Sequence, residues 1–191
     1  PQPGDPLQAS LIGLPGLTSC KPDDLSHLKD LGFITNIIAQ EIKNDWRGTL
    51  EKVAGMGYKY FESGAVYGDS LSEYKQFLAN VGLTPLAAGA SMAQFLDNNS
   101  FNELLKRGHD LNAKYIVCYW PWMSDASNLT RDEIKNAAEN LNKIGEKCKT
   151  ENFTFAWHNH DKEFKPVDGI IPFDWLLSNT DPSICKVEID L

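Results

Sequence analysis

The chain has 191 residues, 42% of them hydrophobic and 23% charged, which suits one soluble domain with a sizeable core. Its net charge of −8, with no cluster of Lys or Arg, argues against a nucleic-acid backbone as partner. No apolar run reaches the roughly 18–20 residues that a membrane-crossing helix needs.

Residues 1–30 read as an N-terminal segment ahead of a folded domain over 31–191. Pro1, Pro3 and Pro6 preclude a helix start at the extreme end. The mildly apolar run from Leu7 ends in Leu17-Thr18-Ser19-Cys20, which resembles a bacterial lipobox, although no Lys or Arg precedes Lys21 to form a positive n-region. The location is therefore read as cytoplasmic, or periplasmic if that Cys is a lipobox. The plainer reading is a tail with a chance cysteine.

A helix–turn–strand rhythm then sets in. Phe33 to Ile38 reads as a first strand. Asp45 precedes Trp46, Leu50, Val53 and Ala54 on one helical face, and Gly57 closes that helix. Tyr58 to Glu62 is a strand. Ser70-x-x-Glu73 is a capping box opening a helix with Leu71, Tyr74, Leu78 and Val81 on one side, ended by Gly82. Leu83 to Ala88 is the next strand. Ser100-x-x-Glu103 is a further capping box, with Leu104, Leu105 and Leu111 behind it. Tyr115 to Tyr119 is a continuous apolar strand. Thr130-x-x-Glu133 opens a long helix carrying Ile134, Ala138, Leu141, Ile144 and Cys148. Phe153 to His158 is a strand, Pro172 to Ser178 a short helix and Ile184 to Asp190 a strand. Cys20, Cys118, Cys148 and Cys185 lie far apart with no C-x-x-C and read as buried free thiols.

Strict alternation of strand and helix implies a parallel sheet covered by helices. A doubly wound sheet usually shows G-x-G-x-x-G after its first strand, and Gly64-Ala65-Val66-Tyr67-Gly68 has the wrong spacing. The remaining architecture is the (β/α)8 TIM barrel, which runs to about 250 residues. The expectation is a barrel that stops after its sixth strand, with strands in sequential order and helices outside. Its two uncovered sheet edges would invite self-association, and the chain alone would be a poor catalyst.

A barrel of this kind builds its site at the C-terminal ends of its strands. His158 and His160 end one strand at i and i+2 and share a face; Glu188 and Asp190 do the same on the next. Imidazoles and carboxylates at one mouth suit a divalent cation, Mn, Zn, Co or Mg. The bland alternative is hydrogen-bonded structural histidines. Glu62 ends its own strand and either binds substrate hydroxyls or pairs with a basic neighbour. Trp120 and Trp122 follow a strand at the same mouth, where they would stack on a sugar or pack in the core. His27 and His109 receive no role.

Residues 130–164, above all His158-Asn159-His160-Asp161-Lys162-Glu163-Phe164 after a helix rich in Ala, Glu and Asn, resemble the sugar phosphate isomerase/epimerase family with its xylose isomerase-like barrel. Relatives include inosose dehydratase and ketose 3-epimerases. Asp45-Trp46-Arg47-Gly48-Thr49-Leu50, Gly57 to Glu62 and Val187-Glu188-Ile189-Asp190 extend the likeness over about residues 33–191. The resemblance implies a divalent metal on His158, where many relatives carry Glu, and on Asp190, with two further ligands beyond Leu191. It implies proton transfer next to a sugar carbonyl, with Glu163 or Glu188 as base and Glu62, His160, Trp120 and Trp122 toward substrate. Two strands depart from the pattern: Phe33 to Ile38 lacks the usual polar-aromatic ending, and Ala88-Gly89-Ala90-Ser91 lacks a frequent His. A lyase or hydrolase of oxidised sugars, or a non-catalytic sugar binder, are the competing readings.

Overall fold

The structure is a computed structural model that describes residues 31–63 and 65–190. The N-terminal segment, with Leu17-Thr18-Ser19-Cys20, lies outside the described residues. Strands β1 (Gly32–Ile34), β2 (Tyr60–Glu62), β3 (Thr84–Ser91), β4 (Tyr115–Trp120), β5 (Thr154–His158) and β6 (Cys185–Glu188) alternate with helices. The helices are α1 (Ala39–Gly55), α2 (Leu71–Val81), α3 (Met92–Leu96), α4 (Asn98–Leu111), α5 (Arg131–Thr150) and α6 (Pro172–Asn179). The strands pair in parallel in the order β1-β2-β3-β4-β5-β6, so no strand order reverses as it would in a doubly wound sheet.

The sheet is rolled. In a flat sheet β1 and β6 would stand five steps apart, about 24 Å at the usual spacing. Instead Phe33 of β1 and Val187 and Glu188 of β6 line one cavity of about 390 Å³ together with Glu62 and Val117. Period-two alternation sorts the strand residues. Tyr115, Val117 and Ala156 line this interior, while Ile116, Cys118, Phe155 and Trp157 join the core under the helices. That outer core takes Leu104 and Leu105 from α4 and Ile134, Leu141 and Ile144 from α5. A smaller core joins Leu50 of α1 and Tyr74 and Leu78 of α2 to Phe61 of β2. At Gly145 helix α5 approaches so closely that a Cβ there would lie 2.7 Å from the Ile184 carbonyl oxygen at the entry to β6.

Several caps stand where the sequence predicts them. Ser70 Oγ accepts from the Glu73 N–H and Thr130 Oγ1 from the Glu133 N–H, each at 3.2 Å. Gly82 ends α2 at φ 75°. Asp45 caps as expected, its Oδ1 accepting from the Gly48 N–H at 3.0 Å, but a short helical stretch from Ala39 precedes it, joined through Asp45 at φ −154° and ψ 88°. Two expectations are corrected. The first strand ends at Ile34 rather than Ile38. Thr35 Oγ1 donates to the Glu62 carbonyl at 3.0 Å and the chain turns into a 3-10 helix over Thr35–Ile38. Helix α4 begins before Ser100, because α3 delivers Asp97 to a break, where its carboxylate accepts from the Ser100 N–H at 2.8 Å. An acidic cap also complements the helix dipole, which a neutral Ser does less well. Cys118, Cys148 and Cys185 are buried free thiols, as read. Among the described residues no helix is long and apolar enough to cross a membrane.

Candidate functional site

The parallel ladder brings the strand ends together. The last rung of β5 and β6 pairs His158 with Glu188; His158 lines the mouth and Glu188 the interior cavity. His158 Nδ1 lies 3.1 Å from Glu188 Oε2, and its Nε2 lies 3.5 Å from Asp190 Oδ2. One imidazole therefore stands between two carboxylates. Hydrogen bonding to Glu188 is the main cause that raises the His158 pKa above its ordinary value, against the opposing effect of burial.

Glu62 reaches the same cluster from β2, across the rolled sheet. Its residue is only 6% exposed, and Oε1 has no hydrogen-bond partner among the described residues. Burial first, and the neighbouring charge of Glu188 second, push its carboxyl up to about 9, so Glu62 holds its proton at neutral pH. For Glu188 burial alone would raise the pKa. Hydrogen bonds from His158 and Glu62 outweigh that effect and hold the carboxyl below the ordinary range. The pair is thus split into an acid and a carboxylate. Tyr119 reaches Glu62 as well. Gly89 makes room for it: a Cβ at Gly89 would meet the Tyr119 ring at 2.4 Å.

The mouth itself is a cavity of about 650 Å³ lined by His158, His160 and Asp190 on one side and by Thr35, Tyr67 and Tyr119 on the other. His160 stacks edge-on against His158, with centroids 4.9 Å apart, and against Trp120 at 5.0 Å. Its burial depresses the imidazole pKa, so it is neutral at pH 7. The sequence-predicted residues do not all meet. Glu163 is fully buried; Oε1 accepts from Trp122 Nε1 and Oε2 from the His160 N–H, each at 2.8 Å. Trp122 is likewise buried, and neither residue lines the interior cavity or the mouth. Both brace the turn that carries His160. Trp120 supports His160 from behind while its Nε1 donates to the Ser124 carbonyl at 2.8 Å.

Sequence reasoning passed over Tyr119 and Asn159. Tyr119 has the inward parity of Tyr115 and Val117, a signal that could have found it. Asn159, 2% exposed, bonds through its side-chain amide to both backbone groups of Asp190.

The donors fit a divalent cation. Two ligands each 2.0–2.2 Å from one ion, at tetrahedral to octahedral angles, stand roughly 3.0–3.5 Å apart. His158 Nε2 and Asp190 Oδ2 have that spacing. Glu188 on Nδ1 supplies the carboxylate that commonly orients a metal-bound histidine. Among the described residues no group of three or more His, Cys, Asp or Glu side chains is gathered to hold an ion, so these would be two ligands of a larger set.

No protein-family profile and no curated protein matches the chain in sequence. Solved structures match its fold. A sugar phosphate isomerase/epimerase from Parabacteroides distasonis superposes with a TM-score of 0.67 at 23% identity, over 85% of this chain and 65% of that one. A D-psicose 3-epimerase studied in the presence of D-fructose matches at 0.53 and 16% identity, over 76% and 58%. A xylose isomerase-like TIM barrel protein from Mycobacterium smegmatis in complex with magnesium matches at 0.52 and 12%, over 75% and 55%. The chain thus has the xylose isomerase-like barrel fold, and it spans 55% to 65% of the length of these structures.

Proposed function

We propose that this chain carries a metal-dependent sugar isomerase or epimerase site, with His158 and Asp190 as metal ligands and Glu188 as the base. The observation that carries the proposal is the convergence of His158 Nε2 and Asp190 Oδ2 at 3.5 Å on the mouth, with Glu188 behind the imidazole. A divalent cation bound there would polarise a sugar carbonyl and its neighbouring hydroxyl. Glu188, held ionised, would remove a proton from the carbon beside that carbonyl and return it to the neighbouring carbon in isomerisation, whereas epimerisation needs a second group to deliver a proton to the opposite face of the same carbon. Glu62 remains protonated and donates its one hydrogen bond to Glu188, which keeps that carboxylate ionised. Neighbouring carboxyls driven to opposite protonation states are the usual mark of divided acid and base roles. His160, neutral, binds a hydroxyl; Trp120 fixes the His160 ring, and Glu163 with Trp122 holds its backbone.

Among the described residues the mouth lining contains Asp190 and two histidines but no Lys or Arg. Such a lining favours an uncharged sugar over a phosphorylated one. The test is metal binding and proton exchange. Calorimetric titration with Mn²⁺, Co²⁺, Zn²⁺ and Mg²⁺ is expected to show one site, lost in His158→Ala and in Asp190→Ala. NMR in D₂O should show metal-dependent deuterium entry beside the carbonyl of a free ketose or aldose. Undiminished metal binding in both variants would overturn the ligand set. Metal binding without deuterium entry into any sugar would favour the non-catalytic binder.

A further inference from the structure

The β5–β6 ladder stops at the His158–Glu188 rung, yet the next residue that matters, Asp190, lies beyond it. Asp190 is the more exposed ligand, with 63% of its side chain open to solvent, and regular backbone pairing no longer holds it. What holds it is one side chain. Asn159 Nδ2 donates to the Asp190 carbonyl at 3.0 Å, and Asn159 Oδ1 accepts from the Asp190 N–H at 3.0 Å. The amide thus satisfies both backbone groups of a single residue, as an extra rung of the ladder would. Donor and acceptor cannot be exchanged without setting N–H against N–H, so the amide orientation is fixed. Asn159 itself is 2% exposed, so the amide works from the interior on a residue that stands open to solvent.

We infer that Asn159 is a positioning residue that sets the Asp190 carboxylate against His158, and through it the affinity for a divalent cation. The inference rests on the metal reading of His158 and Asp190. Two opposed hydrogen bonds restrict rotation of the Asp190 backbone on both sides of its Cα. That fixes the direction of Cβ and keeps Oδ2 3.5 Å from the imidazole. Asn is well suited among the side chains: Asp lacks the donor, Leu lacks both groups, and Gln is one methylene too long for a buried slot. Asn159 touches neither proposed substrate nor ion, so its effect passes through Asp190.

The test uses the full chain and Mn²⁺ alone as probe, read by electron paramagnetic resonance of the free ion. Partners that orient a metal ligand typically contribute ten- to a hundred-fold in affinity. Asn159→Asp, of the same size, is therefore expected to weaken Mn²⁺ binding by about ten-fold or more. A merely structural role would lower the melting temperature and leave the Mn²⁺ affinity of the folded protein unchanged; unchanged Mn²⁺ affinity in Asn159→Asp overturns the inference. A second readout needs no metal. The Asp190 amide should exchange its hydrogen slowly in the parent and rapidly in Asn159→Leu. If the parent binds no Mn²⁺, the metal reading fails, and with it the affinity half of the inference. Fast Asp190 exchange in the parent would remove the clamp itself.

Discussion

Replacing Glu62 by Gln should stabilise the protein more as the pH rises. The carboxyl sits at the end of β2 with 6% exposure, and its folded pKa of about 9 stands against an ordinary value of 4.5. The folded state binds this proton more tightly than the unfolded chain, so unfolding releases it. Stability is fully present below about pH 4.5 and is lost as the pH climbs toward 9. Each pH unit in that window corresponds to about 1.4 kcal/mol, so between about pH 5 and pH 8 the parent loses about 4 kcal/mol through this group. Domain stabilities run from about 5 to 15 kcal/mol, which makes the loss large enough to measure. Gln keeps the size and a donor toward Glu188 but has no proton to lose. Urea unfolding of parent and variant, with chelator present, should give a stability difference that grows by about 4 kcal/mol over this range. Titrating groups away from Glu62 are common to both proteins and cancel, and Gln preserves the donor that Glu188 accepts. A difference that stays constant from pH 5 to pH 8 would show that Glu62 is ionised in the fold, and the acid and carboxylate division of labour would fall with it.

Trp122→Phe leaves a fully buried Glu163 oxygen without its donor and should cost about 1–3 kcal/mol in denaturant unfolding. Gly89→Ala drives a methyl group into the Tyr119 ring and the Val117 carbonyl, each 2.4 Å from the new Cβ. Overpacking there should cost about 1–3 kcal/mol by thermal melting and displace Tyr119 from Glu62. Cys118, Cys148 and Cys185 are buried with thiol pKa values pushed up by burial, so an aromatic disulfide reagent at pH 8 should reach them only after unfolding.

The barrel was legible because its signals are local. Ser70, Thr130 and Gly82 mark helix ends by short-range chemistry, and apolar parity marks the strands. The convergence of His158, Glu188 and Asp190 followed from the same parity applied to neighbouring strands. Other features depended on distance in the sequence. That Glu163 faces Trp122 rather than the mouth depends on a hydrogen bond spanning 41 residues, which no local pattern announces. The Glu62–Glu188 pairing requires the sheet to roll until β2 and β6 face each other. The early end of β1 reflects a bond from Thr35 to the neighbouring strand, again invisible to periodicity.

The buried bond between Trp122 and Glu163 also bears on how this mouth can change over generations. It ties the loop after β4 to the loop after β5, and His160 hangs from its far end. A lineage that loses one partner strands the other in a dry interior, whereas exchanging both for apolar residues of matching volume can be nearly neutral. Neither position is free to drift alone, and together they form one heritable unit. A laboratory evolution campaign aimed at new sugars would do better to randomise Trp122 and Glu163 jointly. Scanning them one at a time would score both as immutable and hide a route by which the two loops could be reshaped together.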